Sequence, residues 1–309
     1  MSDDTERTST GIVGFDAHLQ GGYPKGKIIL EGPSSEERNT FALSFAAEGL
    51  RAGDNLVVVT SSISPTKVRR ELRKLGIDVK SFERKGHLVI IDWYSHSASE
   101  IFEIEEIGAV IKCPGDALHL NEAFGKAISR FPEDGRTRAV IDGLSILIGK
   151  YDMSSALLLA NSIVSILGRD KSTALFVIES EMHDSATVYQ LQKSFDGHIK
   201  LKRIKGEGAV VGEISVRSFK NTETPSESLL LVRSEDGALR IRSDAEPGEE
   251  ELDDEISDLM VSLKKDSENA VTWFELGTHY SSDGEYEKAH ECFDMAIKLQ
   301  PDFLAAWTS

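Results

Sequence analysis

Residues Gly32-Pro33-Ser34-Ser35-Glu36-Glu37-Arg38-Asn39-Thr40 occupy the place of a phosphate-binding loop but lack most of its chemistry. Such a loop follows the pattern G-x-x-x-x-G-K-[ST] between a strand and a helix. Its glycines let backbone N–H groups curl around phosphates, its lysine neutralises them, and its hydroxyl holds Mg²⁺. Here only the first glycine, Gly32, is kept. Glu37 stands at the second glycine, Arg38 at the lysine and Asn39 at the metal-binding hydroxyl, with Thr40 next. Two carboxylates in the loop repel a polyphosphate, and Glu37 replaces a residue valued for backbone freedom. Arg38, at a helix start beside Glu36 and Glu37, is expected to pair with them.

The elements around the loop are those it requires. Lys27–Glu31 is an apolar, strand-like run leading in, and Phe41–Leu50 has helical spacing leading out. Further strands are expected at Leu56–Thr60, Leu88–Asp92, Arg138–Asp142 and Ala174–Ile178. Between them lie helices at Pro65–Leu75, from about Leu118, and at Ser154–Leu167. This alternation predicts an α/β fold with a mostly parallel sheet flanked by helices. From Gly197 the pattern turns to alternating strands, His198–Ile204, Val210–Ser218, Leu229–Arg233 and Leu239–Arg242, which predict an antiparallel extension of the sheet.

The flanking motifs make the reading more specific. Ser9-Thr10-Gly11-Ile12-Val13-Gly14-Phe15-Asp16, then Gly21-Gly22 and Pro24-Lys25-Gly26, resemble the entry of KaiC-like ATPases of the RecA superfamily, and the resemblance runs from about residue 8 to 243. It implies a RecA-like core with the nucleotide site between subunits of an oligomer. It also implies two adjacent glutamates after the second core strand to activate water; Ser62 and Ile63 stand there, and neither is a useful base. The family's trans-acting K-x-R reads Ser218-Phe219-Lys220, with one charge lost and a lysine for the arginine that would clamp phosphate through two hydrogen bonds. Asp142 remains where the family holds Mg²⁺ through water. Two readings of it stay open: that metal role if nucleotide binds, or a buried carboxylate satisfied by hydrogen bonds. His183 and Asp184 are expected in a surface loop.

Charge divides the chain. Of its net −17, residues 244–309 carry 18 Asp/Glu against 4 Lys/Arg, leaving 34 against 31 in residues 1–243. Neither part has the basic excess of a nucleic-acid binder, which weighs against a recombinase-like DNA-binding function. Residues 244–255 hold eight acids with Pro247 and Gly248 and are expected as a solvated linker. Beyond it, Trp273, Leu276, Gly277, Tyr280, Ala289, Phe293, Ala296 and Pro301 fall at the spacing of a tetratricopeptide repeat. Trp307 stands where a further repeat would begin and is expected to bind protein. The expected organisation is a KaiC/RecA-like (pseudo-)ATPase domain over 1–243, the linker over 244–255, and a small all-α helical segment over 256–309.

No run approaches the roughly 18 to 20 apolar residues of a membrane span. The polar, acidic start is unlike a secretory signal. Cys113 and Cys292 lie far apart without metal-ligand spacing. The expectation is a soluble, cytoplasmic pseudo-ATPase with no catalytic residues and no cofactor. It would act as a regulatory scaffold through homo-oligomerisation and tail-mediated contacts with protein, and not with nucleic acid or membrane. The alternative is a weak switch in which Gly32, Arg38, Asn39, Thr40 and Asp142 bind ATP with Mg²⁺.

Overall fold

The structure, a computed structural model, describes residues 7–95, 101–132, 135–168, 172–204, 210–220, 225, 228–234, 237–242, 259–260, 262–263, 266, 269–282 and 286–300. The chain divides into two compact units, Met1–Ser243 and Asp244–Ser309. The acidic linker and Trp307 lie outside the described residues, as does Pro301.

The first unit is built on one sheet. Its strands are β1 (Gly26–Gly32), β2 (Asn55–Thr60), β3 (Leu88–Asp92), β4 (Glu105–Ile107), β5 (Val110–Lys112), β6 (Thr137–Asp142), β7 (Thr173–Glu179), β8 (Gly197–Lys202), β9 (Val210–Phe219), β10 (Leu229–Arg233) and β11 (Leu239–Ile241). They are ordered β11-β10-β9-β8-β1-β7-β6-β2-β3-β5-β4. From β8 to β5 all neighbours are parallel, whereas β8 to β11 form an antiparallel meander. Every residue of β1, β2 and β3 is buried, because a parallel sheet covered on both faces needs apolar side chains on both. Successive side chains alternate between faces. Ile28 and Leu30 join Phe41, Phe45, Leu72 and Leu239 on one side, while Ile29 joins Phe124, Ile163 and Phe176 on the other.

The helices follow the expected alternation. After α1 (Phe15–His18) come α2 (Glu36–Arg51), α3 (Pro65–Lys74), α4 (Val79–Arg84), α5 (Ala117–Ile128), α6 (Leu144–Lys150), α7 (Met153–Leu167) and α8 (Ser185–Ser194). Six elements were not anticipated: α1, α4, α6, α8 and the strands β4 and β5. The β4–β5 hairpin falls in a stretch to which no element was assigned, since every residue of β4 is exposed and gives no alternating pattern. The short helices α4 and α6 offer too few turns for helical spacing to stand out. Asp184, in an exposed loop as expected, also caps α8 by accepting the Thr187 N–H.

The second unit contains α9 (Ala270–Ser282) and α10 (Tyr286–Leu299). A Cβ on Gly277 would come within 2.7 Å of the Phe293 ring, so that glycine permits the close approach of the two helices. Leu276, Tyr280, Ala289 and Cys292 are buried in the seam with Leu263, as the repeat spacing requires.

Beside the loop-bearing end of β1 lies a buried polar group. Glu31 is paired with His198 at 2.8 Å and Lys200 at 2.6 Å, both from β8. Burial alone would raise the Glu31 carboxyl, but the hydrogen bonds and charges of His198 and Lys200 outweigh it and hold the group below the usual carboxylate range. Stability from a depressed carboxyl is complete above its unfolded pKa, about 4.3 for glutamate, and is lost as pH falls through the lower folded value. Urea titrations over a pH series should show that acid-side loss, and Glu31→Gln should flatten it. At the other end of β8, a Cβ on Gly197 would overlap the Phe219 ring and lie 2.8 Å from Ile28 Cδ1. Gly197→Ala should therefore destabilise the first unit by about 1–3 kcal/mol in denaturant titration, with part regained on adding Phe219→Leu.

Candidate functional site

The site begins where β1 stops. Gly32 ends the strand with its Cα against Leu201, where a Cβ would lie 3.2 Å from the Leu201 Cβ. Three residues later Ser35 caps α2, its side chain accepting the Arg38 N–H at 3.2 Å. The helix therefore starts at Glu36, earlier than expected, and Glu37 takes ordinary helical backbone; among the described residues only Gln20 is a non-glycine with positive φ. The cost expected for a glutamate at a glycine position is avoided by extending the helix.

Arg38 does not pair with Glu36 or Glu37. Its side chain is fully buried, with Nη1 3.5 Å from the Gly32 carbonyl and Nη2 3.4 Å from Glu179 Oε1 at the end of β7. Its Nε makes no hydrogen bond among the described residues. The correction follows from helix geometry, because residues one and two apart point to different sides. Glu36 and Glu37 instead face Arg233 of β10, at 3.9 and 3.7 Å. The position expected to hold a mobile phosphate-binding cation thus carries one folded under the loop.

Asp142 ends β6 and is hydrogen-bonded within the chain. Its Oδ2 accepts the Ser62 N–H at 3.1 Å and the Ser62 hydroxyl at 2.5 Å. Ser62 thus supplies two hydrogen bonds to one oxygen of a half-buried carboxylate. That serine is one of the two residues standing where water-activating glutamates were sought. The other, Ile63, packs against the core. Asn39 and Asp142 line a cavity of about 20 Å³ with Thr60, Ile63 and Val140, room for one water molecule. Thr40 is buried, and its carbonyl accepts the Ser44 hydroxyl.

Two contacts escaped the sequence reading. Ser145, buried near the start of α6, accepts the Glu179 N–H at 2.9 Å and lies 2.8 Å from His183 Nε2. Burial pulls the His183 imidazole below its usual pKa, against Asp184 and Glu179, which pull it up. Glu179 thereby joins α2, β7 and α6. An acid closing the apolar run Ala174–Ile178 was the available signal for it.

Lys220 lies at the opposite edge of the sheet. It follows β9 and pairs with Asp196 at 2.7 Å, while Asp196 also accepts the Lys27 N–H at the start of β1. Seven strand residues, about 20 Å at the usual rise, separate that edge from Gly32. Lys220 and Arg38 therefore serve different edges of one subunit. Among the described residues no group of three or more acidic, histidine or cysteine side chains is placed to hold a metal ion, and no helix is long and apolar enough to cross a membrane.

Comparison with known proteins agrees with this architecture. The pattern of the KaiC ATPase family matches residues 8–244, and that of the tetratricopeptide repeat matches residues 270–303. A UPF0273 protein of Saccharolobus solfataricus is 27% identical over 222 residues, covering 71% of this chain and 76% of its own length. One from Thermotoga maritima is 27% identical over 221 residues, covering 70% and 88%. The circadian clock protein KaiC3 of Synechocystis shares 35% identity over 92 residues, which is 29% of this chain and 18% of that protein. A KaiC-like protein of Pyrococcus horikoshii superposes with a TM-score of 0.58 at 18% identity, covering 77% of this chain and all of that one, a likeness of fold. The parallel sheet, the loop at the end of β1 and the match over most of the chain together place this protein in the KaiC family of ATPases, with a tetratricopeptide repeat in its C-terminal unit.

Proposed function

We propose that this protein is a KaiC-like scaffold that does not hydrolyse ATP and acts through self-association and the protein contacts of its C-terminal repeat. The observation that carries the reading is the burial of Arg38. A cation spent on Glu179 and the Gly32 carbonyl is withdrawn from phosphate. The other substitutions act in the same direction. Glu36 and Glu37 place negative charge at the helix start, and Ser62 covers the carboxylate that a metal would need. These residues do not fit a metal–triphosphate.

The scaffold reading draws on the family and on the repeat. KaiC-like proteins assemble side by side, and tetratricopeptide repeats stack on further helices, a single repeat burying too little by itself. The excess of acidic residues over 244–309, 18 against 4 basic, favours a partner with a basic surface and an association that weakens as salt screens it.

Calorimetric titration of the full-length protein with ATP and Mg²⁺ should give no saturable heat, and phosphate release should stay at background. Each missing group typically supplies about 2–4 kcal/mol of transition-state stabilisation. Turnover that vanishes on Asp142→Ala would overturn the proposal, and tight binding without turnover would favour the nucleotide-switch reading. Restoring the loop with Ser35→Gly, Glu37→Gly, Arg38→Lys and Asn39→Thr should recover some nucleotide affinity without hydrolysis, because Ser62 and Ile63 remain.

Removing residues 244–309 tests the other half of the proposal. The shortened chain should keep its folded core, checked by circular dichroism, and lose either its assembly state in sedimentation or its salt-sensitive partner. Identical assembly and identical partners with and without the tail would refute this role.

A further inference from the structure

Positive charge in the first unit is gathered on one surface. Residues 65–87 hold eight Lys/Arg against three Asp/Glu, in a unit whose acids outnumber its bases. This stretch folds as α3 and α4, which are tied side by side where Arg69 Nε donates to Glu83 Oε1 at 2.6 Å. The acids are consumed locally. Glu83 answers Arg69, and Glu71 is buried between Arg70 at 3.1 Å and Lys74 at 2.9 Å. Asp78 caps α4 by accepting the Ser81 N–H.

A surplus of cations remains on the outside. Lys67, Arg73, Lys80 and Lys85 are exposed, and their side chains make no hydrogen bond or ion pair among the described residues. Lys67, Arg70 and Lys74 stand at i, i+3 and i+7 of α3, and Lys80 and Arg84 at i and i+4 of α4, spacings that line each set along one side of its helix. Like charges so placed repel, and the face costs stability until an anion answers it.

The complementary charge is in the same chain. Residues 244–255 carry eight acids and no base. We infer that the α3–α4 face of one copy receives the acidic segment 244–255 of a second copy. This inference rests on the self-association proposed above and makes the protein itself the partner with a basic surface. Two chains of net charge −17 repel each other at long range, and alignment of face with segment turns that repulsion into local attraction. Each copy offers one face and one segment, so the contact runs head to tail and closes a ring or extends a chain. Exposed ion pairs contribute little singly, so the contact depends on several acting together and is sensitive to salt.

The test is sedimentation velocity of the full-length protein at low and high salt, beside two charge-reversed variants. The first carries Lys67→Glu, Arg73→Glu, Lys80→Glu and Lys85→Glu, and the second Glu249→Lys, Glu250→Lys, Glu251→Lys and Asp253→Lys. Each alone should self-associate about tenfold or more weakly than the native chain, with unchanged circular dichroism. Mixed in equal amounts they should associate again, because each reversed element then meets its opposite on the other variant. A variant that had merely lost its fold would not be rescued in this way. A mixture no more associated than its components, or native assembly in either variant alone, would overturn the inference. Native assembly that dissolves on nuclease treatment would also overturn it, assigning the face to a polynucleotide. A native protein that is monomeric at low salt would overturn the self-association reading and this inference with it, a result distinct from the others.

Discussion

A guanidinium out of water must be answered by negative or dipolar groups, and in this protein much of the loop-bearing edge is arranged around that demand. An arginine side chain carries its charge into a protein interior, so the burial of Arg38 is tolerated only with acceptors close by. Gly32 supplies a carbonyl and Glu179 a carboxylate. Glu179 is in turn held by Ser145 through its backbone amide. The ends of β1 and β7, the first turn of α2 and the start of α6 are thus tied through one ion. A contact of this kind adds little net stability compared with apolar packing, but it fixes geometry, because removing Glu179 would strand the enclosed Arg38.

The second tie at this edge has the same logic. Ser62 and Asp142 join the loop after β2 to the end of β6. These groups face each other. The framework of the family is preserved, and in the proposed scaffold its polar groups turn from an external ligand to internal partners.

Much of the fold was legible because its determinants are local. Unbroken apolar runs such as Lys27–Glu31 and Leu88–Asp92 announce buried parallel strands, and Gly277 opposite Phe293 announces a helical hairpin. The site was legible only in what it lacks. Gly32, Glu37, Arg38 and Asn39 could be set against a known pattern, but Arg38 meets Glu179 across 141 positions and Ser145 meets His183 across 38. No periodicity encodes such pairs. The expected Arg38–Glu36 and Arg38–Glu37 pairing failed because nearness in sequence was taken for nearness on the helix. The β4–β5 hairpin was missed because an exposed edge strand carries no apolar alternation.

The Arg38–Glu179 contact also gives evolutionary change a direction. The two members differ in exposure: the Arg38 side chain is wholly enclosed, whereas that of Glu179 keeps 27% of its surface in contact with water. Replacing the arginine first leaves an acid that solvent can still hydrate. Replacing the glutamate first leaves an enclosed cation with only a carbonyl for company, a far costlier intermediate. A lineage leaving this arrangement one substitution at a time therefore passes more easily through position 38 than through position 179, and the pair acts as a ratchet whose release order is written in its burial.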